Sequence, residues 1–219
     1  VTDRWTEEAA LPTGWSRPLL KELWASAQTG PSRRPADRER TVADGGAPVV
    51  LPRDLRGLRV VTGEPRDIPA IPWDRARMLA RYELAAGDVL VTRTGTVGRC
   101  ALVTGEHQGW LFHPNLVRLR LPKGGRVTAA YLAAYLGTPT AQDWIRTRTA
   151  VAVIPSLSIR TLGELPVVLP PLGEQEAIGA TLAALDDKIQ AHSEIIRATR
   201  AYRDLLADAL MNGALPVES

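Results

Sequence analysis

Arginine is the residue whose type and placement in this chain could do chemistry. Of 27 basic residues, only Lys21, Lys123 and Lys188 are lysine. A guanidinium is a planar fork of donors that pairs bidentately with a phosphate or a guanine edge. Three groups of arginines are candidates for such contacts. Residues 28–48, QTGPSRRPADRERTVADGGAP, hold Arg33, Arg34, Arg38 and Arg40 in a Gly/Pro-rich stretch without apolar periodicity, which reads as a long loop. Arg93 and Arg99 flank the turn Thr94-Gly95-Thr96-Val97-Gly98. Arg146 and Arg148 stand near the end of a helical stretch, ahead of Ser156 and Ser158. Those hydroxyls suit either phosphate contact or the capping of residues 159–162. Each set also has a plain alternative. Asp37, Glu39 and Asp44 partly cancel the loop's charge, the glycines can be purely structural, and GC-rich codon usage enriches arginine without any ligand.

Other chemistries lack their residues. The one double proline, Pro170-Pro171, lies between leucines, not in the Asn/Asp-Pro-Pro-Tyr/Phe loop of an adenine methyltransferase. No G-x-x-x-x-G-K-[ST] phosphate loop and no G-x-S-x-G nucleophile elbow occurs. Three scattered lysines give no convincing metal-nuclease set, and His107, His113 and His192 form no helix-spaced metal pair. The single cysteine, Cys100, precludes an intramolecular disulfide and reads as a small core residue in a strand. No enzyme activity, cofactor or metal is expected. No apolar run approaches a membrane span, so the expected setting is the cytoplasm, with no membrane partner.

The elements that must position these arginines fall into two parts of unlike charge. Residues 1–172 hold 23 basic and 16 acidic residues, while 173–219 hold 4 and 8. A basic body suits a polyanion, and an acidic helix suits protein. In the body, residues 49–52 and 58–61 read as strands around an Arg53–Gly57 turn, and 74–83 as a short helix. Val89–Thr92 and Arg99–Val103 read as a hairpin, and the second half of 112–121 as a half-buried strand. His113 reads as a turn residue. Thr128–Leu136 reads as a helix with Tyr131, Leu132, Tyr135 and Leu136 at core spacing. A short apolar strand then meets Pro170-Pro171, and a helix of roughly 40 residues follows, about 60 Å at 1.5 Å per residue. Ile178, Leu182, Leu185, Ile189, Ile196, Leu206 and Leu210 fit alternating steps of four and three along it, with His192, Thr199 and Arg203 filling the remaining places. The seam can alternatively shift to Ile195, Tyr202 and Ala209. The pattern fits helix-to-helix pairing, or else an amphipathic helix lying on its own domain.

Four segments carry a family resemblance. LPPLGEQEAIGATLAALDDKI resembles the opening of the coiled-coil helix in specificity (S) subunits of type I restriction-modification systems. Pro170, Pro171, Leu172, Glu174, Gln175, Ile178, Leu185, Asp186 and Ile189 match that pattern. Leu11-Pro12-Thr13-Gly14-Trp15 is similar to the start of a target-recognition domain. Gly87-Asp88-Val-Leu-Val-Thr-Arg93-Thr-Gly95-Thr-Val97-Gly98 resembles its central signature. Residues 149–162 resemble the stretch before its last strand.

The resemblance implies an α+β target-recognition domain over residues 1–170, with a curved, mostly antiparallel sheet and peripheral helices. One long coiled-coil helix over 171–213 and a tail over 214–219 would follow. It implies a non-catalytic subunit that binds double-stranded DNA, for which the candidate contacts read from the residues themselves are Arg33, Arg34, Arg38, Arg40, Arg93, Arg99, Arg146, Arg148, Ser156 and Ser158. It would position a separate DNA methyltransferase subunit for adenine methylation, with or without a translocating restriction subunit. Typical S subunits carry two target domains and two helices, so one of each resembles a half-subunit that forms a homodimer through the helix seam. The alternatives are a coiled-coil adaptor without DNA binding and the specificity domain of a fused methyltransferase-nuclease.

Overall fold

The computed structural model describes residues 11–32, 40–149 and 155–214. They form a mixed α+β body and a long helix, and the chain divides into two compact units between Gly179 and Ala180.

The body is built around β6 (Val89–Thr92), four consecutive buried residues. A strand with no exposed face needs a neighbour on each edge and cover on each side. β6 pairs antiparallel with β7 (Cys100–Leu102) and with β9 (Leu116–Arg120). The six-stranded sheet runs β1-β9-β6-β7-β4-β3, with β1 at Ser26–Thr29, β4 at Leu58–Val60 and β3 at Leu55–Arg56. Its pairs are antiparallel except β4 with β7. The two-residue side-chain period then sorts the strand residues. Val89, Val91, Cys100, Val117 and Leu119 face the larger core, with α2 (Ala129–Gly137) and α3 (Pro139–Thr149) contributing Leu132, Leu136, Trp144 and Ile145. Leu90, Ala101 and Leu116 face a second core with Leu84 and Phe112. A three-stranded sheet, β5-β2-β8 (Ala70–Ile71, Ala47–Val50, Leu111–Phe112), packs a third cluster with Ala76 of α1 (Trp73–Met78).

The hairpin and the helix from Thr128 form where the sequence predicts them, and the helix expected over 74–83 is divided into α1 and a 3-10 turn at Ala80–Tyr82. Three other expectations change. The stretch 53–57 is not one turn: after a 3-10 helix at Pro52–Asp54, residues 55–56 become β3, and the reversal is only Gly57-Leu58. Both sit at positive φ, +54° and +62°, as a primed two-residue turn requires, and Leu58 is the one non-glycine residue there among the described residues. β9 is buried on both faces and not half-buried, because Arg118 lies inside. The segment before the double proline is extended but makes only isolated bridges, Ser16 to Leu169 and Leu19 to Pro166. Pro18 and Pro166 lack the N–H that a continuous ladder needs.

Helix α5 (Leu172–Met211) is 40 residues long. Its first two turns belong to the body. Gln175 is fully buried, and its side chain accepts from Thr128 N at 2.9 Å and donates to Arg126 O and Pro170 O at 2.8 Å. Ile178 packs on the larger core and Gly179 is buried. Trp15 Nε1 donates to Glu174 at 3.1 Å. These contacts give L-P-P-L-x-E-Q a physical meaning: the two prolines stop the extended segment and Gln175 satisfies three backbone groups at the helix base. In the second unit, Leu185, Ile189, Ile195, Ile196, Tyr202 and Leu205 are all more than half exposed. No described helix is long and apolar enough to cross a membrane.

Candidate nucleic-acid interface

The turn between β6 and β7 is the best-defined place where candidate residues meet. Thr92 anchors it: its Oγ1 accepts from Arg99 N at 2.9 Å and donates to Thr96 O at 2.5 Å. Thr92 N donates to Arg99 O at 2.8 Å, and Gly98 N to Thr92 O at 2.9 Å. Gly98 has φ +88°, and an added Cβ would lie 3.0 Å from Gln142 Oε1. The positive φ favours glycine here, and an added Cβ would also press on Gln142 and Ile145. Gln142 of α3 donates to Gly98 O at 2.8 Å and to Leu136 O at 2.6 Å, fixing the turn to the helices.

Two further loops join this end of the sheet through Arg93. Its N donates to Asn115 O at 2.9 Å, and its O accepts from Leu157 N at 2.8 Å. Thr94 bridges to Ser156. Arg93 and Arg99 of the turn thus share one rim with Ser156, which lies far from them in sequence. Arg99 and Ser156 are exposed and Arg93 is half-buried. Among the described residues, Arg93 Nε and Thr94 Oγ1 are buried without a hydrogen-bond partner. A buried donor left unmade costs about 1–3 kcal/mol, so such atoms on a rim are suited to a ligand that accepts hydrogen bonds.

Arg146 and Arg148 follow on α3, both exposed. Arg146 pairs with Asp143 at 2.5 Å, and Arg148 lies over the Trp144 ring at 4.0 Å. Their side chains are held along α3, where each keeps an exposed guanidinium. Ser158 is the N-cap of α4 (Ile159–Gly163), its Oγ accepting from Thr161 N at 2.9 Å, so capping is its observed contact. Arg40 belongs with the three-stranded sheet, through Ala70 N to Arg40 O, and its guanidinium donates to Asp44 O at 3.5 Å. Arg33, Arg34 and Arg38 lie outside the described residues. Cys100 is buried, donates to Ala133 O at 3.4 Å, and burial pushes its thiol up to about 12, which suits core packing and not nucleophilic chemistry. His113 takes Asn115 N on Nδ1 at 3.1 Å, within a turn.

Sequence reasoning missed a buried charge cluster at the opposite end of β6 from the rim. Asp88 is 1% exposed and accepts from Arg120 Nε and Arg120 NH2, both at 2.7 Å. Its Oδ2 also takes Ala85 N at 2.8 Å and lies 4.0 Å from Arg118 Nε. Arg118 donates to Glu83 O at 2.8 Å and to Arg81 O at 3.3 Å. Burial, with Arg120 nearby, holds Arg118 below the usual arginine value while Asp88 opposes it. The Asp88 hydrogen bond holds Arg120 above that value. The signal was present in the sequence: Arg118 and Arg120 alternate with apolar residues, which puts both on one strand face, and a buried cation requires an acid. The Gly-Asp pair reads as a mere turn until the sheet brings β9 beside it. These arginines brace the sheet; those at the rim do not pair with Asp88.

The comparisons with known proteins follow this geometry. A family model described as the type I restriction modification DNA specificity domain matches residues 79–198. That range includes the β6–β7 turn, α3 and the first part of α5. No curated protein matches the chain. Solved structures are similar as well, among them the following three. One, from work on assembly and conformational transition of the type I R-M system, is 22% identical with a TM-score of 0.63, over 95% of this chain and 47% of that one. The HsdS subunit from Thermoanaerobacter tengcongensis is 22% identical with a TM-score of 0.57, over 85% of this chain and 40% of its own. A type I restriction-modification S subunit from M. genitalium is 17% identical with a TM-score of 0.59, over 90% of this chain and 45% of its own. The chain thus spans less than half the length of each, and at these identities the likeness is one of fold. With the family model covering more than half of its residues, this chain belongs to the type I restriction-modification DNA specificity domain family.

Proposed function

We infer that this chain selects DNA sequence for a separate adenine methyltransferase subunit, with no chemistry of its own. The observation that carries the reading is the rim at the β6–β7 turn. The β6–β7 turn and the loop before α4 bring Arg93, Arg99 and Ser156 together there, with polar atoms beneath that have no partner among the described residues. Phosphate contacts from guanidinium and hydroxyl groups fix register, and base-edge contacts in a groove carry sequence information. Arg146 and Arg148 extend the same cationic surface along α3, and the arginines of 33–40 add a second basic segment. The methyltransferase subunit would flip the target adenine. A translocating restriction subunit is a further partner of the assembled complex.

Helix α5 is the protein-facing part. Two copies pairing through it would present two identical target domains, and two-fold symmetry then calls for a palindromic, bipartite site with a fixed spacer.

The test is the affinity of the full chain, with and without its methyltransferase subunit, for double-stranded DNA across a salt series. Counterion release predicts that log K falls linearly with log salt, by ~0.9 per neutralised phosphate. An affinity that does not change with salt would remove DNA binding from the account.

A further inference from the structure

Arg93 has a polar neighbour across the sheet, Asn115. β6 and β9 pair Val91 with Val117 and Thr92 with Leu116. Arg93 N donates to Asn115 O at 2.9 Å, which carries the register one step further and sets the two residues opposite each other. Side chains alternate between the faces of a strand, so both stand on the face of Val91 and Val117, the side of the larger core. Leu157, whose N donates to Arg93 O, is wholly buried in that same core. Directly opposite residues of an antiparallel pair hold their Cβ atoms about 5 Å apart. A guanidinium and a carboxamide are thus rooted side by side at the end of the sheet.

Asn115 is fixed through its backbone. Its N donates to His113 Nδ1 at 3.1 Å, and its O takes the Arg93 N–H. The next residue, Leu116, is wholly buried and donates its N to His113 O at 2.9 Å. The Asn115 side chain is half-buried, and among the described residues its carboxamide makes no hydrogen bond. The Arg93 guanidinium likewise has no hydrogen-bond or ion-pair partner there, and its Nε is buried. The turn is therefore held without the carboxamide. A polar tip on a fixed root keeps its hydrogen bonds for a ligand and loses little freedom on binding.

The chemistry of the tip narrows the ligand. A carboxamide offers an acceptor oxygen and a donor NH2 in one plane. A phosphate has only acceptors and would leave that oxygen unpaired. In the major groove, adenine shows the N7 acceptor beside the N6 donor, which a carboxamide meets with two bonds at once. Guanine shows two acceptors there and suits a guanidinium instead. The adenine that is methylated leaves the stack, so the edge that is read belongs to a different base pair.

We propose that Asn115 is a specificity-determining residue that reads an adenine, other than the one methylated, in the major groove beside Arg93. This step rests on the DNA-selecting reading above and adds one residue-to-base contact to it.

The experiment uses the full chain assembled with its methyltransferase subunit. Methylation sequencing gives the native motif, and affinities are then measured for duplexes carrying that motif with each base pair changed in turn. The native complex is expected to discriminate on the order of tenfold at one unmethylated adenine, and Asn115→Ala to lose that discrimination while keeping it elsewhere. Replacing that adenine by 7-deazaadenine, which lacks the N7 acceptor, should weaken the native complex several-fold and leave the variant unaffected. Asn115→Asp is isosteric and lacks the N7 donor, so it gives the same comparison where the alanine variant fails to assemble. Unchanged discrimination in the variants would overturn the proposal. Equal weakening on every duplex would overturn it too, because that marks a phosphate or structural role. Relaxation at a pair without adenine would overturn the base assignment. A native complex with no motif at all would overturn the DNA-selecting reading, and this step with it.

Discussion

In the body, Leu20, Leu132, Leu136 and Leu162 are wholly buried, while on α5 Leu185, Ile189 and Ile196 are more than half exposed. The same residue types serve opposite ends. Each buried leucine contributes about 2 kcal/mol to closing the body's own core. Each exposed one forgoes that contribution in the isolated chain. A row of such residues marks a surface that another protein covers. The polar residues divide likewise. Asp88 and Gln175 have their hydrogen bonds met inside the body, whereas among the described residues Asp186 and Arg200 make no ion pair on the helix. The contrast separates residues that make the fold from residues that wait for a partner, and the following substitutions test that division.

The largest effect is expected from Asp88→Ala. It strands two buried or half-buried arginines and one backbone N–H, and it should cost about 3–5 kcal/mol in urea unfolding. Gln175→Ala leaves three backbone groups without their partner and should cost about 3 kcal/mol by the same measurement. A loss of under ~0.5 kcal/mol in either would break the comparison from the body side. On the helix, Leu185→Asp should change body stability by no more than ~0.5 kcal/mol yet abolish self-association in sedimentation. At the rim, Arg93→Ala should weaken DNA binding on the order of tenfold and lower the salt slope by about 0.9, with no loss of stability in urea unfolding.

The smallest effect is one of pH. Burial holds the His107 imidazole below its ordinary value of 6.5, with Glu106 and Asp54 opposing. A depressed histidine favours the neutral form in the folded state, so the unfolded chain binds the extra proton. Its contribution is therefore fully present above pH 6.5 and is lost as pH falls below that value toward the folded one. Stability of His107→Leu should decline less than that of the native chain over that window. An identical decline would remove the assignment.

Much of the fold was legible because local rules decide it. The four apolar residues of β6, the glycines of its turn and the 40-residue helix after the double proline all carry their signal in sequence. What was illegible depends on partners brought from afar. Arg118 reads as the solvent side of a half-buried strand until Asp88 and the carbonyls of Arg81 and Glu83 surround it. Leu58 at positive φ has no sequence signature, since it is held by packing against the larger core and Gly137. At the candidate site, Arg93 and Arg99 could be named from their turn, but their nearness to Ser156 could not, because a single long-range bridge produces it. Ser158 looked equally able to cap or to bind, and only the position of Thr161 decides for capping.

The most direct test of the central claim is single-molecule methylation sequencing of DNA from cells carrying this gene beside its methyltransferase gene, compared with a strain lacking it. The account predicts a bipartite N6-methyladenine motif that disappears on deletion and is palindromic if two copies pair. Unchanged methylation, with the methyltransferase present and active, would contradict it.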